Sequence, residues 1–223
     1  MQVKKQSTFK FFLWPTLSLV LVVGAVIFTQ AIFNANYYSN FYVSGESMLP
    51  TLKGDPNDAD YGKYDGHKSA LRNVKRFQIV TTHYPSERGL KEEEKTIKIK
   101  RLLFKPGDTF EVSYVKNDKG EYVNEMHLFL PSGDYRILDY PFDSSSIVGD
   151  HSYPKTTLSS TQFFVAGDNW NNSLDSFDES VGPLEFSDLV GVVTKVEGRC
   201  KVVNKQITDK KPYDVKIFNG VDY

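Results

Sequence analysis

Thiol chemistry, metal capture and nucleic-acid binding all lack their usual raw material in this chain. A single cysteine, Cys200, cannot close an internal disulfide, and no CxxC or other thiolate cluster offers a zinc site. The four histidines, His67, His83, His127 and His151, stand far apart with no HExxH-like spacing. Charge of one sign is also missing: 27 Lys+Arg against 28 Asp+Glu leave a formal net charge of -1. A nucleic-acid partner, which calls for a basic face to displace counterions, is therefore not expected. With 40% hydrophobic and 25% charged residues over 223 positions, collagen-like, coiled-coil and wholly disordered chains are excluded as well.

Between Phe11 and Phe33 there is no charged residue at all. The run FFLWPTLSLVLVVGAVIFTQAIF is long enough for a helix crossing a hydrocarbon core, which takes about 20 residues. It exceeds the apolar region of a cleaved secretory signal, about 7–15 residues, and no A-x-A-like site follows it. An uncleaved anchor over 11–33 is expected, with Pro15 near its entry, where a missing N–H costs little. Lys4, Lys5 and Lys10 precede the run, and no Lys or Arg appears between Phe11 and Pro50. The positive-inside rule then keeps residues 1–10 in the cytoplasm and the rest outside: a single-pass protein of the cell membrane, in contact with lipid.

Beyond the anchor, strands dominate. Runs at 41–45, 76–84, 95–104, 109–115, 121–130, 135–140, 162–167 and 189–198 are rich in β-branched and aromatic residues. Asn117-Asp118-Lys119-Gly120 reads as a hairpin connection. The Gly- and Asp-rich stretches 54–66 and 142–154 read as loops. The first is no calcium loop, because Ala59 and Asp60 fall at its fifth and sixth positions.

Three stretches could carry chemistry: Val43 to Leu52, Lys98 to Arg101 with Pro106-Gly107-Asp108 behind it, and Gly167-Asp168-Asn169 followed by Asn172 to Ser176. Taken singly, each reads as ordinary turn or strand-edge sequence. A nucleophilic site needs a hydroxyl, a base and an oxyanion donor. Ser47 is a candidate nucleophile outside any G-x-S-x-G elbow, and no histidine has a motif context as its base. A lysine base remains, as in Ser-Lys variants of the triad. Lysine titrates near 10.4 in water, so work near neutrality takes a depression of about 3 units, or about 4 kcal/mol. Burial can supply that bias. Lys100 alternates with Lys98, Leu102 and Phe104 on one strand face, while Arg101, permanently charged, cannot act as a base.

Together, S-M-L-P-T-L, K-R-L-L-F-K-P-G-D and G-D-N-W-N-N-S-L-D-S, in that order behind an anchor, resemble the boxes of type I signal peptidases. Those are membrane-bound serine–lysine proteases that remove signal peptides from translocated preproteins. The resemblance implies Ser47 as nucleophile, Lys100 as general base, and the Ser47 N–H as part of the oxyanion hole. Gly45 stands where some relatives add a serine hydroxyl. It implies that Ser173 orients the amine and that Asp175 braces the lysine strand, with Arg101 or backbone donors as its partner. Val43, Met48 and Ile99 would wall shallow pockets for small residues at substrate positions −1 and −3. It further implies a mostly-β domain over 38–198, with its catalytic core at about 38–108 and 161–198. A β-ribbon subdomain would be inserted at about 109–160, and 199–223 would form a C-terminal extension. No metal or organic cofactor is implied.

The last box departs from the pattern: Trp170 and Phe177 replace its two arginines, and a short insertion follows Asp175. The strand around Arg76 to Val80 lacks the usual Gly-Asp before it. An alternative expectation is a signal-peptidase-like assembly factor, for example for pilus or secretion components, that holds peptides with weak or no cleavage.

Overall fold

The computed structural model describes residues 9–142, 144, 147–215, 220 and 221. The chain divides into two compact units, Met1–Ser39 and Asn40–Tyr223. In the first, helix α1 spans Phe9–Tyr37. Its window Pro15–Ile32 is long and apolar enough to cross a membrane. Two of its few polar side chains are satisfied by the helix itself: Ser18 Oγ donates to the Pro15 carbonyl at 2.9 Å and Thr29 Oγ1 to that of Ala25 at 2.8 Å. Pro15 is its seventh residue, past the first turn rather than at the entry, so its missing N–H removes one interior hydrogen bond. Lys4 and Lys5 lie outside the described residues.

The second unit is built from strands. Sheet order runs β1 (Tyr38–Tyr42), β3 (Asp58–Asp65), β12 (Leu189–Val203), β4 (Ile79–Thr82), β5 (Lys98–Phe104), β10 (Gln162–Ala166), β11 (Leu184–Glu185). Strand β2 (Gly54–Asp55) adds to β3, and β13 (Gln206–Val215) adds to β12. A second sheet holds β8 (Tyr135–Leu138), β7 (Tyr122–Phe129), β6 (Thr109–Lys116) and β9 (Tyr153–Thr157) in that order. Its strands alternate as a half-buried sheet should: Phe110 and Val112 on β6, and Met126 and Leu128 on β7, point inward. These side chains meet Phe104 and Phe164 of the first sheet in one core, where the Phe104 and Phe110 rings stack at 3.9 Å. The mostly-β expectation is met, and Asn117 to Gly120 do connect two antiparallel strands.

The structure corrects several sequence expectations. The stretch 54–66 is mainly the hairpin β2–β3 rather than a loop. Two of its aspartates find partners: Asp60 accepts the Lys53 N–H at 2.7 Å and the Tyr213 hydroxyl at 3.0 Å, and Asp58 meets Lys53 and Arg199. Ala59, Tyr61 and Tyr64 can then be buried. Strand β9 begins inside the second expected loop, and a short helix, α2 (Lys68–Arg72), was not expected. Strand β12 continues past residue 198 and pairs with β13, so residues 199–215 form half of a hairpin and its return strand. Strand β1 ends at Tyr42, but beyond it the Val43 N–H still donates to the Asp60 carbonyl at 2.8 Å and the Gly45 N–H to that of Gly54 at 3.3 Å.

Candidate active site

Ser47 lies in the turn between β1 and β2, and buried side chains fasten that turn from below. Met48 and Leu52 are buried with Phe41, Ile79 and Val193, and the Leu52 N–H donates to the Met48 carbonyl at 2.8 Å. Gly45 has φ +85°, a conformation in which a β-carbon is strained, so a serine there would be disfavoured by the backbone.

The third motif crosses over this turn. The Asn169 N–H donates to the Ser47 carbonyl at 3.0 Å, and the Asn169 side chain to that of Glu46 at 3.2 Å. A β-carbon on Gly167 would lie 2.2 Å from the Ser47 carbonyl oxygen and 2.4 Å from Ser173 Oγ. Only glycine permits that approach, so Gly167 brings the Ser47 turn and Ser173 together.

Lys100 arrives from β5, paired with Val80 of β4, and is only 3% exposed. Its Nζ donates to Ser173 Oγ at 2.8 Å. Burial brings its pKa down from 10.5 to about 8; Asp175 and Asp168 oppose the shift and Lys98 assists it. Among the described residues no hydrogen bond joins Ser47 to Lys100 directly, but both line one cavity of about 660 Å³. Val43, Met48 and Ile99 line it too.

Asp175, also buried, accepts the Gly167 N–H at 2.9 Å and the Phe177 N–H at 3.2 Å. Burial pushes its pKa up, against the hydrogen bonds from Ser173, Gly167 and Phe177 and the charge of Lys100. Of the two partners expected for it, only the backbone serves. Its bonds brace the end of β10 and the loop carrying Ser173, and reach the lysine strand only through β10. Arg101 is committed elsewhere: on the opposite face of β5 its guanidinium grips Asp168 with Nε–Oδ1 at 2.6 Å and Nη2–Oδ2 at 2.5 Å, and donates to the Phe77 carbonyl at 2.7 Å. Thr51 adds a hydroxyl to Asp168 at 2.5 Å, which fastens the Ser47 turn to the same pair.

Trp170 and Phe177 occupy the arginine positions by joining the aromatic core, their rings 4.5 Å apart and Phe177 5.0 Å from Phe164. Asp168, Thr51 and Tyr84 were not singled out from sequence. Asp168 sits inside a motif and is adjacent to Gly167, which was a usable signal. Tyr84, whose hydroxyl donates to the Leu174 carbonyl between Ser173 and Asp175, had none.

Comparison with known proteins identifies the family. The family model "Signal peptidase, peptidase S26" matches residues 14–196. The chain is 33% identical over 161 residues to signal peptidase I P of Bacillus subtilis subsp. natto, covering 70% of this chain and 74% of that one. It is 28% identical over 177 residues to signal peptidase I U of Bacillus subtilis (strain 168), covering 79% and 83%. With signal peptidase I of Bacillus caldolyticus it shares 29% over 189 residues, covering 81% and 86%. A serine, a buried lysine and the loop that joins them thus sit within the matched region, and the chain belongs to the peptidase S26 family of type I signal peptidases.

Proposed function

We propose that the protein cuts signal peptides from exported preproteins with Ser47 as nucleophile and Lys100 as general base. The observation that carries this reading is the Lys100 amine. It is buried, brought down to about 8, and hydrogen-bonded to a neutral hydroxyl rather than a carboxylate, in the cavity that Ser47 also lines. At pH 7 about a tenth of such amines are free. A free amine that donates to Ser173 keeps its lone pair for the Ser47 proton.

As the Ser47 Oγ–H proton passes to Lys100 Nζ, Oγ attacks the scissile carbonyl and its oxygen becomes an oxyanion. The Ser47 N–H stabilises that oxygen; with Gly45 in place of a serine, no hydroxyl two positions earlier assists. The lysine proton then goes to the departing amine, the acyl–Ser47 ester forms, and a water deprotonated by Lys100 hydrolyses it.

The substrate lies extended between the segment 40–44 and β5, whose residues 98–100 pair with β4 but not with β10. Val43, Met48 and Ile99 receive small side chains at −1 and −3. The helix over 11–33 anchors the protein in the membrane, with residues 1–10 cytoplasmic and 38–198 outside; 109–160 is an inserted subdomain that contributes nothing to the cavity wall. A non-cleaving assembly role, in pili or secretion, would use the same groove, but the lowered lysine pKa favours cleavage.

The test is cleavage of a preprotein by wild type, Ser47→Ala and Lys100→Ala in detergent across pH. Both variants should lose activity, Ser47→Ala by on the order of 10⁴-fold or more. The wild-type kcat/KM should climb with an apparent pKa near 8. Unchanged cleavage in either variant rejects the role assigned to that residue.

A further inference from the structure

The cavity does not end at the apolar walls. Besides Val43 and Ile99 its lining includes Asn40 and, apart from Lys100, three ammonium groups, Lys95, Lys98 and Lys205, and it holds no carboxylate. Lys95 and Lys98 come from the approach to β5 and its first residue. Each has a carboxylate outside the lining, Glu92 at 2.6 Å and Glu87 at 3.4 Å. Lys205 comes from elsewhere: with Asn204 it forms the two-residue turn between β12 and β13. Among the described residues it makes no ion pair.

Two features make Lys205 unusual. Both turn residues have positive φ, 51° at Asn204 and 62° at Lys205. Such a turn favours Asn-Gly, so a lysine in the second place is held against its backbone preference. The hairpin is also fixed beside the groove, since Val202 and Ile207 pack with Tyr42, Tyr61 and Cys200. A strained cation is thereby presented on the wall of a groove by a hairpin whose tip lies beyond the matched residues 14–196.

We infer that this end of the groove is a specificity site for an acidic side chain on the peptide substrate, with Lys205 as the determinant supplied by the β12–β13 turn. The inference rests on the peptidase reading above, because the register comes from placing −1 and −3 at Val43 and Ile99. Lys95 is five residues from Lys100, roughly 17 Å of extended chain, so the acid falls about four to six residues upstream of the cut. The lining itself holds these three cations and no carboxylate, which attracts a carboxylate and repels a lysine.

The experiment uses the full chain in neutral detergent and peptides with Ala at −1 and −3 that differ at −5 as Glu, Gln or Lys. The expected kcat/KM order is Glu, Gln, Lys, with about tenfold between the extremes at low salt, shrinking as ionic strength rises past about 0.5 M. Lys205→Glu should reverse the Glu-to-Lys ratio. Lys205→Gly, which relieves the turn and should leave Tm equal or higher, should bring that ratio toward one. Glu and Lys peptides cut equally well by wild type, or ratios unmoved in both variants, overturn the acidic preference while leaving the peptidase reading intact. No cleavage of any of the three peptides overturns that reading and the preference with it.

Discussion

Lys100 and Arg101 are covalent neighbours on β5, yet their charges meet opposite surroundings. Arg101 is enclosed with a carboxylate: Asp168 takes two of its N–H groups, and the Phe77 carbonyl takes another. Lys100 is equally enclosed, but its hydrogen bond goes to the Ser173 hydroxyl, and Asp175, the acid that acts most on it, bonds to Ser173 and to the Gly167 and Phe177 N–H groups rather than to the amine. A buried cation with a bidentate carboxylate stays charged and ties segments together. A buried cation offered only a hydroxyl is pressed toward its neutral form. One strand thus carries a structural ion on one face and, on the other, an amine whose surroundings suit the proposed base.

Replacing each cation by an isosteric apolar side chain should break this symmetry of position most sharply. Lys100→Met is expected to lower kcat by on the order of 10²-fold or more while raising stability. The sign follows from the shift: the folded pKa, about 8, lies below the free value of 10.5, so burial of the ammonium costs about 3 kcal/mol below pH 8. That cost fades as pH climbs to 10.5. Urea unfolding should therefore show Lys100→Met more stable than wild type at pH 7, with the gap closing at alkaline pH. Arg101→Met should do the reverse, destabilising by about 3–5 kcal/mol because Asp168 is left buried with Thr51 alone. A neutral or stabilising Arg101→Met would show that the two faces do not differ as described.

Smaller changes sharpen the comparison on the lysine side. Ser173→Ala removes the hydroxyl to which the amine donates, and a drop in kcat of about 10- to 100-fold with little change in KM is expected from single-turnover kinetics. Asp175→Asn removes a charge that holds the Lys100 pKa up. The ascending limb of kcat/KM should then move to lower pH, by about one unit. A move to higher pH would overturn the charge coupling between Asp175 and the amine.

Much of this was legible in the residues, and for definite reasons. The apolar run, the period-two strands β5 to β7 and the candidate serine and lysine are local patterns, set by side-chain chemistry within a few positions. The hairpin β2–β3 was not, because its aspartates read as loop until Arg199 and Tyr213 supply partners from distant sequence, beside the neighbouring Lys53. Nor was the fate of Asp175, for which Arg101 stood as a possible partner. Adjacent strand residues face opposite ways, but alternation does not say what covers each face, and here Asp168 covers one and Ser173 the other.

The amino-acid order by itself therefore determined that a membrane-length apolar helix precedes a strand-rich domain carrying a serine, a lysine and a Gly-Asp-Asn turn. Only the tertiary structure decided that Gly167 draws the serine turn against Ser173, that the lysine loses its water while its neighbour keeps a carboxylate, and that a distant hairpin sets Lys205 at the groove. Those outcomes depend on low dielectric and on contacts between segments more than fifty residues apart, which no local pattern contains.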